Sequence, residues 1–151
     1  MLTKENWGNA VWYLFHTLAF KLKKEHENLI PSLINFIKNT CNELPCPDCK
    51  VHALKYIKHY NMDKIKTKEE LVIYLTTFHN VVNRILNKPR LSYEQSNELY
   101  NRANTDNIIR NYINVMSKST GNMKLMMNTF ARRTTVESFK KFIMLHRKGF
   151  N

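Results

Sequence analysis

The sequence predicts an all-α fold, a bundle of four to five helices followed by a C-terminal helical extension. Three observations carry that expectation. The 151 residues include only three glycines and four prolines, too few for a turn-rich β fold or a Gly-rich dinucleotide loop. Apolar residues recur at helical spacing in successive segments. Capping residues stand where several of those segments begin.

The first helix is expected over residues 4 to 24, with Trp7, Val11, Leu14, Phe15, Leu18 and Leu22 on its apolar stripe and Thr3 as N-cap. The second starts near Pro31, a residue suited to a first helical turn, and carries Leu33, Ile34, Ile37 and Cys41. The third starts at the pair Cys46/Cys49 and continues through Val51, Leu54, Ile57 and Tyr60. The fourth opens on Thr67-Lys-Glu-Glu70, which fits a capping box. Its stripe is Leu71, Tyr74, Leu75, Phe78, Val82 and Ile85, and Pro89 is expected to close it. Short links make a bundle the economical packing.

Beyond Pro89 the composition shifts toward Asn, Ser and Met. Ser92-Tyr-Glu-Gln95 opens a further helix with Leu99, Tyr100 and Ala103 on one face, and Ile108, Ile109, Tyr112, Ile113 and Met116 continue a helical pattern. Gly121 is expected to break it. Thr134-Thr-Val-Glu137 then caps a last helix bearing Phe139, Phe142, Ile143 and Leu145. Two regions are expected, residues 1–100 and a helical extension over 101–151.

The 24 Lys and Arg against 12 Asp and Glu give a net charge of +12. That balance suits nucleic acid, an anionic membrane, an acidic protein or an anionic cofactor, or simply a solvated surface. No membrane span and no secretory leader are visible, so a soluble intracellular protein is expected. Three cysteines cannot form a disulfide framework, so a Cys-x-x-Cys pair points to catalysis or metal binding in a reducing compartment.

In ELPCPDCKVH (43–52) that pair has three readings. A redox pair needs a thiolate, and a helix start with prolines at 45 and 47 and lysines at 50, 55 and 58 favours one. A zinc site would use Cys41, Cys46, Cys49 and His52, but Cys41 lies on an apolar stripe and His52 crowds Cys49 on one short helix. Incidental thiols are the third. A thioredoxin-like motif would follow a strand, and none is visible. Elsewhere, Gly8, Trp12 and His16 share one face of the first helix, and His79, Asn80, Asn83 and Lys88 form a polar stripe ending the fourth. Buried Asn and His need partners, so a polar ligand or an internal network is implied, and Lys88 suits a phosphate.

Taken in order, WGNAVWYLFH, PCPDCKVH and HNVVNRILNKP resemble the FAD-linked sulfhydryl oxidases of the Erv/ALR type, over roughly residues 5 to 100. The resemblance implies a helical bundle holding FAD beside the cysteine pair, an enzyme that makes disulfides in protein thiols and passes the electrons to dioxygen, giving hydrogen peroxide. It implies Cys46 as the outer sulfur meeting the substrate and Cys49 as the flavin-proximal one. Trp12, His16, His79, Asn80, Asn83 and Lys88 would line the cofactor, with Trp7, Gly8, His52 and Tyr100 as further candidates. It also implies a homodimer. Compact members occur in large cytoplasmic DNA viruses, which the Asn/Lys/Ile-rich composition suits, so the host cytoplasm or a virion is the matching location.

Two departures stand out. Many members carry a second, shuttling cysteine pair. Here only Cys41 is left over, so substrates reach Cys46 directly, a thioredoxin-like donor delivers electrons, or Cys41 pairs across a dimer; a buried core thiol is the plain alternative. Leu44 stands where the family often has an aromatic. The competing class is a basic helical nucleic-acid module with structural or zinc-binding cysteines, motivated by Arg132, Arg133, Lys140, Lys141, Arg147 and Lys148.

Overall fold

A computed structural model describes residues 2–118 and 126–151. Among them, seven α-helices form the bundle: α1 Lys4–Lys21, α2 Ile30–Asn42, α3 Pro47–His59, α4 Lys68–Ile85, α5 Tyr93–Asn101, α6 Thr105–Met116 and α7 Met126–His146. Short 3-10 turns lie over Lys24–Leu29, Met62–Lys64 and Arg147–Gly149. Gly121 lies outside the described residues.

Local chemistry accounts for most of the helix ends. Thr3 caps α1 by accepting from the Asn6 N–H, and the α1 stripe is buried as expected. The helix stops at Lys21, three residues early, because Leu22 turns extended and pairs with Phe150. The Lys23 N–H donates to the Gly149 carbonyl at 2.8 Å, and the Asn151 N–H donates to the Lys21 carbonyl at 2.7 Å. Gly149 packs closely there: an added Cβ would meet Leu29 Cδ1 at 2.8 Å, so that side chain would have to shift.

Thr67 caps α4, accepting from the Glu70 N–H and donating to its carboxylate. Pro89 does not end this helix. Asn87 does, at φ 56°. Its N–H donates to the Arg84 carbonyl and that of Lys88 to the Asn83 carbonyl, the paired bonds of a Schellman motif, with Asn tolerating the left-handed backbone. The full capping box is at α5, where Ser92 and Gln95 exchange hydrogen bonds.

Several expected faces are corrected by exposure. Val51 of α3 and Tyr60, the residue that follows it, point to solvent, and Ala53 is the buried residue of α3, because this helix lies at the periphery. Ile85, the last residue of α4, Leu99 of α5 and Leu145 of α7 are exposed as well. The expected cap at Thr134 lies inside α7, which runs through it unbroken. The Thr134 hydroxyl donates to the Phe130 carbonyl one turn back, a bond that lets a threonine sit mid-helix.

The core is one continuous apolar cluster to which α1 through α7 all contribute. The extension is part of it. α6 packs along α1 through Ile109, Tyr112, Val115 and Met116, and α7 seats Phe139 against Phe36 of α2 in a stack with centroids 4.5 Å apart. Burying side chains of this size contributes about 1.5–3 kcal/mol each. Removing the extension would therefore open the core.

Candidate active site

The cysteine pair is placed by the start of α3. Cys46 is the N-cap, with extended backbone, and Pro47 fills the first helical turn. Cys46 and Cys49 are disulfide-bonded, with their Cα atoms 5.2 Å apart, and both are half-buried. The Cys46 sulfur accepts a hydrogen bond from the Cys49 N–H at 3.3 Å. When the pair is reduced, that N–H and the helix dipole stabilise a thiolate at position 46. Cys41 belongs elsewhere: it is 2 % exposed in the core, and burial pushes its thiol up to about 12. Among the described residues no three His, Cys, Asp or Glu are grouped to hold a metal ion, and His52 is exposed on α3.

A stacked column forms where α1, α4 and α5 meet. The Trp12 indole lies on the His79 imidazole with centroids 4.0 Å apart and planes 5° apart. His16 Nε2 and His79 Nδ1 are 2.9 Å apart, and Tyr100 covers the other side of His16 at 4.5 Å and 14°. The four-residue step from Trp12 to His16 sets both rings on one face of α1. Burial, and then the neighbouring His79, lowers His16 to about 3. Burial, and then Lys88, lowers His79 to about 4. Both imidazoles are therefore neutral near pH 7, and one proton bridges them.

His16 Nδ1 is buried with no protein partner. A buried N–H without an acceptor costs more than a bare lone pair. The favoured arrangement puts the proton on His16 Nε2, donated to His79 Nδ1. The His79 Nε2–H is then a donor available to a ligand.

The remaining predicted residues divide. Asn80 donates to the Leu91 carbonyl at 2.8 Å and accepts from the Leu91 N–H at 3.0 Å, which clamps the segment after α4. Asn83 is buried, and its carbonyl holds Lys88 through the helix-ending bond. Gly8 leaves open space beside α1, where an added Cβ would touch nothing within 4 Å. Trp7 is buried in the apolar core. His52 is not brought to the column.

Ligand pockets commonly measure about 300–1,000 Å³; here an open groove of ≈ 790 Å³ runs along α4, lined by Thr76, Asn80, Arg84, Lys88, Arg90 and Tyr93, among others, with none of the four column rings in its wall. Sequence reasoning missed Thr76, Arg84, Arg90 and Tyr93. The four-residue rhythm Thr76–Asn80–Arg84–Lys88 was a usable signal. Aromatic packing links the column to the redox helix: Tyr56 of α3 stacks on Phe78 at 4.5 Å, and Phe78 meets Trp12 edge-on at 5.2 Å.

A disulfide-bonded Cys-x-x-Cys pair on a helix N-terminus, in an all-α bundle with a stacked aromatic column and a cationic groove along α4, is an arrangement suited to thiol–disulfide exchange. The chain belongs to the Erv1/Alr family, whose model matches residues 9–103. It is 36% identical over 89 residues to protein 096R of Invertebrate iridescent virus 3, named for FAD-linked sulfhydryl oxidase activity, with 57% of this chain and 60% of that protein covered. It is 29% identical over 103 residues to the FAD-linked sulfhydryl oxidase of African swine fever virus (isolate Pig/Kenya/KEN-50/1950), covering 65% of this chain and 82% of the other. The FAD-linked sulfhydryl oxidase ERV1 of Oryza sativa subsp. japonica is 34% identical over 89 residues, 58% of this chain and 45% of the plant protein. The match thus spans under two thirds of the iridescent-virus and rice proteins. No solved structure matches.

Proposed function

We propose that the chain is an FAD-dependent sulfhydryl oxidase that forms disulfides in protein thiols. The observation that carries the reading is the Cys46–Cys49 disulfide at the N-terminus of α3, in a bundle of the Erv1/Alr family. The residues present fit FAD. Trp12 and His79 are only partly buried, so the open side of their stack suits a planar ring, with His16 and Tyr100 buried behind it; the unpartnered His16 Nδ1 leaves hydrogen-bonding capacity. Arg84, Lys88 and Arg90 in the adjoining groove suit a pyrophosphate. These residues, with Asn80 and Asn83 shaping the site, would hold the cofactor.

The cysteines do the exchange. A substrate thiolate attacks the Cys46 sulfur; the Cys46–Cys49 bond breaks, a mixed disulfide forms at Cys46, and Cys49 leaves as thiolate. A second substrate thiolate then attacks the substrate sulfur of that mixed disulfide. The substrate disulfide is released, and Cys46 becomes a thiolate held by the Cys49 N–H and the helix dipole. Bound FAD supplies the two-electron acceptor that returns the pair to the disulfide, with dioxygen as final acceptor and hydrogen peroxide as product. With Cys41 buried, the electrons come from substrate thiols directly or from a thioredoxin-like donor.

Residues 1–100 carry this chemistry and 101–151 cover the outer sides of α1 and α2. A homodimer therefore has to form on surface that α6 and α7 leave open; sedimentation reads its stoichiometry. Among the described residues no helix is long and apolar enough to cross a membrane.

The basic cluster of the tail is divided: Arg132 is buried, Arg133 donates to the Ser117 carbonyl, Lys140 pairs with Glu137 and Arg147 with Asp106, while Lys141 and Lys148 are exposed. The visible absorption spectrum of the purified protein, with oxygen uptake on adding dithiothreitol, tests the proposal. A flavin spectrum with uptake supports it. A protein that binds no added FAD and consumes no oxygen sinks it.

A further inference from the structure

The helix that begins at Cys46 shows solvent one continuous stripe. Asp48, Val51, His52, Lys55, Lys58 and His59 are all exposed, at the three- and four-residue steps that share a helix face. Val51 is 61 % exposed, the highest among the large apolar side chains of residues 2–118. A β-branched side chain loses rotamer freedom in a helix, so a solvated valine does nothing for α3 itself. The charge of the stripe is uncompensated as well. Elsewhere among the described residues Lys38 pairs with Asp63, Arg102 with Glu98, Lys140 with Glu137 and Arg147 with Asp106, yet neither Lys55 nor Lys58 enters an ion pair. Asp48, in the first turn, is the sole acid of α3.

The order away from the redox end is thus anion, apolar, cation, cation. At about 1.5 Å of rise per residue, Val51 lies roughly 7 Å, Lys55 roughly 13 Å and Lys58 roughly 18 Å along the axis from Cys46. An extended chain advances about 3.3 Å per residue and covers those distances in about two, four and six residues. We propose that this stripe docks the substrate, an extended thiol-bearing polypeptide segment with an apolar residue about two positions from its reactive cysteine and acidic residues about four to six positions from it. This rests on Cys46 being the sulfur that meets the substrate. Asp48 disfavours an acid immediately beside the substrate cysteine. A nucleic acid would share the charge preference but brings no thiol to Cys46.

Exchange at Cys46 can be read without flavin or oxygen. In full-length Cys49→Ser protein, the Cys46 thiolate attacks the peptide sulfur of a one-cysteine peptide supplied as its mixed disulfide with 5-thio-2-nitrobenzoate. The Cys46–peptide disulfide forms, and coloured thionitrobenzoate leaves with the electron pair. Three peptides are compared: Glu at about four and six residues from the cysteine, Gln at those places, and Glu at about one and two residues. At an ionic strength of about 0.02 M the first should react at least about threefold faster than either of the others, and the gain should vanish near about 0.5 M. Lys55→Glu combined with Lys58→Glu should make the first peptide slower than the second. Lys141→Glu combined with Lys148→Glu, the same change of charge on exposed residues of the C-terminal extension, should leave the ranking as it is. Equal rates for the three peptides, or equal effects of the two charge-reversed pairs, overturn the inference. A Cys46 that releases no thionitrobenzoate removes the outer-sulfur assignment and the docking stripe with it. Absence of oxygen uptake by the wild-type protein would count against the oxidase reading alone, since these exchange rates need no flavin.

Discussion

His16 and His79, sixty-three residues apart in sequence, share one proton across 2.9 Å in a half-buried cleft. Both lie below the ordinary histidine value, His16 at about 3 and His79 at about 4. The folded values are below the unfolded one, so between about pH 6.5 and 4 the unfolded chain binds protons that the native chain does not. Stability from this pair is complete above pH 6.5 and is lost as pH falls, each imidazole contributing up to ~1.4 kcal/mol per pH unit. Urea unfolding at pH 7.5, 6 and 5 reads it. A midpoint unchanged from 7.5 to 5 contradicts the neutral pair.

Trp12→Ala removes the face that covers His79 and the edge contact with Phe78. FAD content, read as the ratio of flavin to protein absorbance, should fall at least tenfold on the reading that this column holds the cofactor. Stability should fall too, by about 3 kcal/mol or less because the indole is only partly buried. Full flavin content in a folded Trp12→Ala protein would remove the column from the cofactor site.

Asn80→Ala deletes two hydrogen bonds to Leu91 and leaves that peptide without its partners. The cost should be about 1–3 kcal/mol. Thermal unfolding with and without FAD separates the clamp from ligand contact. Equal losses assign Asn80 to the clamp; a larger loss with FAD assigns it to the site as well.

Lys88→Glu inverts a charge in the groove beside His79 and should weaken FAD binding, more at low salt than at high. The same change removes a cation that depresses His79, so its value should rise. Titration of FAD at two salt concentrations measures the first effect, and the imidazole proton resonance followed against pH measures the second.

Cys46→Ser and Cys49→Ser should each abolish dithiol oxidation. With FAD bound, only the protein retaining Cys49 should show the broad long-wavelength absorbance of a thiolate beside flavin. If removing Cys49 produces the band, the outer and inner roles are exchanged.

Much of this was legible before the structure because the signals are local. Thr3, Pro31, Cys46 and Thr67 begin helices where their side chains satisfy free N–H groups or suit the first turn. The spacing of Trp12 and His16 could be read from one helix alone. Other features depend on tertiary neighbours. Val51 looks like a core residue until α3 is seen at the periphery, and Pro89 looks like a terminator until Asn87 turns left-handed two residues earlier. The family resemblance offers Tyr100 as a cofactor candidate, and in the structure that ring stacks on His16. Arg132 reads as surface charge from the sequence, yet it is 1 % exposed, because the carbonyls it meets, those of Met116 and Lys118, lie at and just past the end of α6.

The antiparallel bridge between Leu22 and Phe150 also orders events in time. In chain order α1 precedes both partners that complete its surroundings: α6, which covers its flank, begins at Thr105, and Phe150 pairs beside its C-terminal end. During synthesis the helix that carries Trp12 and His16 therefore keeps an apolar side open to chaperones until those residues emerge. A nascent chain stalled before residue 105 should remain protease-sensitive in α1 even when FAD is abundant.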